Sequence, residues 1–173
     1  MAYDAKAVAN YFLDVAKANN TSLTPMKLQK LIFLAHGWHL AFFDEPLIVD
    51  QIEAWQFGPV VASVYHEFKH ERSSAITGKA SEFDMEEFDF VIPAVPAEDE
   101  RARKIMDRVW TVYGDMSAMK LSNLTHLPDT PWAKARAGYS DDARGIPIEN
   151  SLIRAYYKDQ LDKNLASRQA ATA

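Results

Sequence analysis

The stretch Val64-Tyr65-His66-Glu67-Phe68-Lys69-His70 contains the spacing H-E-x-x-H. On a helix, residues four apart share a face, so His66 and His70 could hold one metal ion with Glu67 as general base of a zinc-dependent hydrolase. That chemistry asks for a third protein ligand. It also asks for a buried motif helix with few charges. Here Lys69 stands between the histidines and Glu71-Arg72 follows at once. His126 or a carboxylate would have to complete the site, and neither sits in a recognisable following motif. A helix C-terminus with surface histidines, favoured there by the helix dipole, explains the same letters. We expect this second reading, assign no catalytic residue, metal ligand or cofactor site, and keep the zinc hydrolase as the alternative.

Other chemistry is thinner. His36 and His39, three apart in an apolar stretch, could share a metal, but hydrogen-bonded histidines in or beside the core account for them. The chain has no G-x-S-x-G, no P-loop and no G-x-G-x-x-G, and its six glycines leave little for phosphate-cradling loops. Charge is uneven. Of 24 acidic residues, eight lie between Glu82 and Glu100 with no Lys or Arg among them, which leaves 16 acids against 19 bases elsewhere. No basic stripe marks a nucleic-acid binder, so direct nucleic-acid binding is not expected, and a DNA-binding regulator is only a further alternative. The segment Glu82 to Phe90 interleaves carboxylates with aromatics. It could steer and grip a basic partner, or be a solvated loop whose aromatics tuck onto the core.

The elements that must position these residues follow from periodicity and punctuation. With 173 residues, 48% of them hydrophobic, one domain with a sizeable core is expected. The lack of cysteine excludes disulfides and fits a cytoplasmic protein. Residues Met1 to Lys6 show no signal-peptide layout, and the longest apolar run, Leu31 to Phe43, is too short to cross a membrane. Apolar residues at helical spacing predict helices over Asp4–Asn19, Pro25–Phe43, Pro59–Phe68, Asp99–Tyr113, Ser117–His126, Thr130–Ala137 and Glu149–Asn164. Thr24 is the expected N-cap of the second, and Pro25 and Pro59 the expected first residues of the second and third. Short strands are expected at 47–57, with a further one at 88–92. The fold class is therefore mainly α: one helical domain of about six to seven helices with a small β element, spanning 1–165. It has an acidic loop insertion at 71–100 and an unstructured tail at 166–173.

Two linked stretches carry a resemblance. Met26-Lys27-Leu28-Gln29-Lys30-Leu31 with Ala35-His36-Gly37-Trp38-His39-Leu40 leads into Glu53-Ala54-Trp55-Gln56-Phe57-Gly58-Pro59-Val60 and Val64-Tyr65-His66-Glu67-Phe68. Together with Thr130-Pro131-Trp132-Ala133 and the closing Tyr156-Tyr157, this pattern is similar to the Panacea domain family of SocA-like antitoxins, also called GepA-like in phage-associated proteins. It covers about residues 4 to 162. Tyr65-His66-Glu67-Phe68 looks like the family's own helix sequence, and His70 falls just outside it. The resemblance implies an antitoxin of a toxin–antitoxin system, not an enzyme, that neutralises a cognate protein toxin by direct contact. In some members it implies an adaptor role, delivering the toxin to an ATP-dependent protease. Gln29, His36, Trp38, Trp55, Gly58, Pro59 and Trp132 carry the family pattern, with the three tryptophans expected to anchor the core. For the contact surface we expect Phe57, Tyr65 and His66, together with the acidic-segment residues Glu82, Asp84, Glu86 and Glu87.

Overall fold

The most apolar stretch of the chain becomes the central helix. In the computed structural model, which describes residues 1–172, α2 spans Pro25–Phe43 and buries residues on every side, from Leu28 through Ala41 with only Trp38 left partly open. A helix with no polar stripe is stable only when other elements surround it. Here α1 (Ala5–Ala18), α4 (Glu100–Tyr113), α5 (Ala118–Thr125) and α7 (Asn150–Thr172) pack around it, with α6 (Pro131–Arg136) against α5. Thr24 Oγ1 accepts a hydrogen bond from the Lys27 N–H at 3.4 Å, and Pro25 fills the first turn, as expected. Asp44 in the left-handed region, φ 58°, ends the helix. The core is lined by Val8 and Phe12 of α1, Leu31 and Ile32 of α2, Met106 and Val109 of α4, and Ile153 of α7. Gly37 lets α7 approach, because a Cβ there would overlap the Tyr157 ring.

Two antiparallel hairpins complete the mainly helical domain. The first pairs β1 (Ile52–Trp55) with β2 (Gly58–Val61), Ile52 opposite Val61 and Trp55 opposite Gly58, around the turn Gln56-Phe57. This corrects the expected third helix. Pro59 lies in β2 and opens no helix, and α3 covers only Ala62–Phe68 before a 3-10 turn at Lys69–Glu71. The reason is the ladder geometry. Ala54, opposite Pro59, directs its N–H away from β2 to the Ile146 carbonyl at 2.8 Å. Pro59 therefore sits at a non-hydrogen-bonded pair and its missing N–H costs nothing. The strand expected from residue 47 starts only at Ile52. Residues 47–49 instead flank Tyr3, whose N–H donates to the Leu47 carbonyl at 2.9 Å and whose carbonyl accepts from the Val49 N–H at 2.8 Å.

The second hairpin, β3 (Glu82–Asp84) with β4 (Asp89–Val91), occupies the segment expected to be a loop with one strand at 88–92. Asp84 Oδ1 accepts from the N–H groups of Glu86 and Glu87, at 2.7 and 3.1 Å, and so builds the turn. A further difference lies at the C-terminus, where we expected the last helix to end at Asn164 and an unstructured tail to follow. Helix α7 runs to Thr172, and Ala173 lies outside the described residues. The segment 162–172 has exposed side chains throughout, yet it contains no Gly or Pro to stop a helix and is rich in good helix formers.

Candidate functional site

The H-E-x-x-H residues do not assemble as a metal site. His66 is on α3, but α3 ends at Phe68, and His70 lies in the following 3-10 turn, where four-residue spacing no longer stacks side chains on one face. Glu67 is used structurally: it accepts from the Ser81 N–H at 3.1 Å and pairs with Lys6 at 3.2 Å. No group of three metal-competent side chains occurs among the described residues. His36 is fully buried, with both ring nitrogens engaged. Nδ1 accepts from the Ile48 N–H at 3.3 Å, and Nε2–H donates to Asn150 Oδ1 at 2.8 Å. Burial pushes its pKa down to about 4, so the ring is neutral. His39 Nδ1–H donates to the Glu45 carbonyl at 2.7 Å.

Gln29, Trp55, Gly58, Pro59 and Trp132 of the longer sequence pattern converge on the β1–β2 hairpin. Gln29 acts as a one-residue strand against the outer edge of β2. Its Oε1 accepts from the Val61 N–H at 2.9 Å and its Nε2–H donates to the Val61 carbonyl at 3.0 Å. Beside it, Lys30 is only 2% exposed and its Nζ donates to the Pro59 carbonyl at 3.3 Å. Glycine at position 58 suits the turn by its backbone angle, and it also leaves room for the end of Lys30. Its φ is +115°, and a Cβ would stand 2.7 Å from Lys30 Nζ. On the other side, Ser122 Oγ donates to the Phe57 carbonyl at 3.2 Å, Trp132 Nε1–H to the Trp55 carbonyl at 2.7 Å, and Arg136 to the Ala54 carbonyl at 2.7 Å. The tryptophans divide. Trp38 and Trp132 pack against the edge of the core, Trp38 through Tyr113 and Tyr157. Trp55 does not anchor the core. Its Nε1–H donates to Glu53 Oε2 at 2.6 Å and its ring meets Tyr65 edge-on at 4.7 Å.

The rigid hairpin forms one wall of a groove of about 730 Å³. The groove is lined by Trp55, Phe57 and Val60 of the hairpin, Tyr65 and Phe68 of α3, Met26, Gln29 and Lys30 of α2, and charged residues of both signs, Glu53, Arg72, Asp141, Asp142 and Arg144. Phe57 at the hairpin tip is 67% exposed. Phe57, Tyr65 and His66, expected to make contacts, all line this groove. The acidic residues expected to make contacts as well lie on a separate surface. Glu82, Asp84, Glu86 and Glu87 belong to the β3–β4 hairpin, which is rooted on α1 by the buried Asn10. Its Nδ2 donates to the carbonyls of Ala80 and Pro93, at 3.0 and 2.9 Å, and its Oδ1 accepts from the Ala80 N–H at 2.8 Å. Helix α3 lies between the two surfaces, with Tyr65 and His66 toward the groove and Glu67 toward Ser81.

The aromatics of this second hairpin do not tuck onto the core. Phe83 packs edge-on against Phe88 and Phe90, at 5.5 and 5.3 Å, and all three are exposed. Asp84 stands opposite Asp89, a like-charge pair that weakens the sheet by itself. Glu82 has its carboxyl pushed up by desolvation and by the nearby Asp4. Sequence reasoning missed Lys30 and Asn10 as positioning residues. The available signal was a polar residue inside an apolar helical stretch, Lys30 in Leu28-Gln29-Lys30-Leu31-Ile32 and Asn10 in Val8-Ala9-Asn10-Tyr11-Phe12.

Comparison with known proteins agrees with this pattern. The family described as "Antitoxin SocA-like, Panacea domain" matches residues 28–133, which contain most of α2, both hairpins, α3 to α5 and the start of α6. The chain is 36% identical to "Antitoxin SocA" of Caulobacter vibrioides (strain NA1000 / CB15N) over 158 residues, 91% of this chain and 84% of that protein. No solved structure gives a significant match. The matched region holds Gln29, Gly58, Pro59 and Trp132, at which the first hairpin is fastened to the helices, and the buried His36, and on that agreement the chain belongs to the SocA-like antitoxin family with the Panacea domain.

Proposed function

We propose that the protein is the antitoxin of a toxin–antitoxin pair, acting in the cytoplasm and neutralising its toxin by direct protein–protein contact. The observation that carries this reading is the similarity to an antitoxin over nearly the whole chain. The surface supports it. Exposed aromatics stand at two sites, Phe57 and Tyr65 on the groove, and Phe83, Phe88 and Phe90 on the acidic hairpin. Large apolar side chains kept in water on ordered elements suit contact with another protein. The proposed contacts are Phe57, Tyr65 and His66 in the groove and Glu82, Asp84, Glu86 and Glu87 on the hairpin, which would meet a basic segment of the toxin.

The test is growth. The adjacent gene product is expressed alone and then with this chain. Arrest by the first and recovery with the second is the expected result. A harmless neighbour, or arrest that persists beside this chain, would remove the antitoxin reading. The family resemblance extends the proposal to delivery of the toxin to an ATP-dependent protease. Toxin half-life separates the two modes: delivery shortens it when the antitoxin is present, whereas sequestration leaves it unchanged or longer.

A further inference from the structure

The two hairpins meet their surroundings differently. Both edges of the first are covered, β1 by Ile146 and Ile148 and β2 by Gln29. The second, rooted on α1 by Asn10, has an uncovered sheet face. Phe83 and Phe90 are cross-strand partners, so their rings share one face. Phe88 joins them from the turn, and Phe88 and Phe90 are 77% and 68% exposed. Strand alternation turns Glu82, Asp84 and Asp89 to the opposite face of the same single-layer sheet, a separation comparable with the Debye length of about 8 Å. Glu86 and Glu87 lie in the turn beside Phe88, and their carboxylates have no hydrogen-bond or ion-pair partner among the described residues. The field around the rings is therefore of one sign, and the bases that border the hairpin do not cancel it. Lys6 pairs with Glu67 at 3.2 Å and Lys79 with Asp14 at 2.7 Å, while Arg103 donates to the carbonyls of Val95 and Pro96. Asp4 and Asp50 near Glu82 add further negative charge. A hairpin this short is marginal alone, and Asp84 opposite Asp89 weakens it.

We propose that this phenylalanine face receives an arginine-bearing segment of the partner toxin, with a guanidinium laid over the Phe88 or Phe90 ring and its remaining N–H donors turned to the carboxylates of Glu86 and Glu87. This deepens the antitoxin reading by making the rings, and not the carboxylates alone, the centre of the contact, and it rests on that reading for the identity of the partner. The face of a phenylalanine ring carries the negative part of its quadrupole and attracts a cation. A guanidinium is planar and weakly hydrated, so it stacks on a ring and still donates in its own plane, whereas an ammonium is a strongly hydrated point charge. The same contact holds the chain together internally: Arg103 lies over Tyr11 at 5.3 Å, Arg101 over Phe43 at 5.4 Å and Arg136 over Trp132 at 5.8 Å. An acidic segment would be repelled, and a second copy of this hairpin would bring its own five carboxylates against these.

The experiment selects a random peptide display library on the full chain and discards peptides that also bind the double variant Phe88→Ser with Phe90→Ser. Both positions are exposed, and thermal melting checks that the variant is folded. Fluorescence anisotropy then measures the peptides that remain. They should contain arginine, and changing it to lysine should cost about threefold in affinity for the wild type. On Phe88→Leu with Phe90→Leu, which keeps the apolar bulk and removes the ring faces, arginine and lysine peptides should bind alike. The arginine-to-lysine comparison on the wild type needs no variant, so it decides even where a variant does not fold. The proposal is overturned if no peptide depends on Phe88 and Phe90, if the dependent peptides lack arginine, if lysine serves the wild type equally well, or if the arginine preference survives in the leucine variant. The growth assay is read separately. Rescue by the wild type, with unchanged affinity of the serine variant for the adjacent gene product, sinks the hairpin proposal alone. Hairpin-dependent arginine peptides without any rescue sink the antitoxin reading alone.

Discussion

Burial holds His36 neutral between the Ile48 N–H and the Asn150 side chain, and that has a pH consequence. The unfolded imidazole takes a proton near 6.5, the folded one only near 4, with the neighbouring His39 adding to the depression. Between those values the unfolded state binds more protons, so this residue makes stability fall as pH drops from about 6.5 to about 4, by roughly 3 kcal/mol in all. At neutral pH both states are uncharged there and no penalty exists. Urea unfolding across this range, compared between wild type and His36→Gln, should show the steeper acid loss in the wild type. Equal slopes would mean that the ring is solvated or already charged in the folded protein. At neutral pH the variant should still be weaker by about 1–3 kcal/mol, because two buried hydrogen bonds change partner.

At the scale of elements, α7 has two halves with different support. Its first turns place Ile153 and Tyr157 against α2, the latter over Gly37. Its last turns touch little, and Lys163–Asp159 is an exposed ion pair at 2.6 Å. Exposed pairs of this kind contribute only tenths of a kcal/mol. Truncation after Asn164 should therefore leave the melting temperature nearly unchanged, within about 0.5 kcal/mol of stability. Amides beyond residue 164 should exchange with solvent much faster than those near Ile153, and protection in both halves would reveal an unrecognised partner for the end of α7. The β1–β2 hairpin is the opposite case. Four strand residues a side would be marginal in isolation, but Gln29, Lys30, Ser122, Trp132 and Arg136 satisfy its free edges and turn. That fastening makes it a rigid wall for the groove.

Across the whole molecule, α2 organises everything else, and α3 separates two surfaces of different chemistry. One is a groove lined by Trp55, Phe57 and Tyr65 with charges of both signs, the other an acidic hairpin with exposed phenylalanines. Glu86 and Glu87 sit in the exposed turn of that hairpin, where only their backbone N–H groups bond to Asp84. Reversal to Glu86→Lys and Glu87→Lys should leave the melting temperature unchanged and weaken the complex with the toxin, first through a slower association rate. Unchanged association and affinity in both variants would take the hairpin out of the interface.

Much of this was legible in the residues themselves. The apolar run of Pro25 to Phe43 demanded a central helix, Thr24-Pro25 fixed where it starts, and the spacing of Ile105 and Val109 predicted the amphipathic α4. The joined pattern around Gln29, Trp55 and Gly58 carries the family resemblance in the sequence alone. The role of Pro59 was not legible, because strand or helix there depends on whether Ala54 turns its N–H toward β2 or toward Ile146. Nor was the pairing of β3 with β4, since the acids of that segment masked its alternation. The groove itself is a property of the assembled chain. Lys30 and Phe57 lie far apart in sequence, and only the packing of α2 under the hairpin brings a buried charge and an exposed ring to one opening. Local sequence sets periodicity and caps, whereas which polar group is buried, and which partner it finds there, depends on every element that surrounds it.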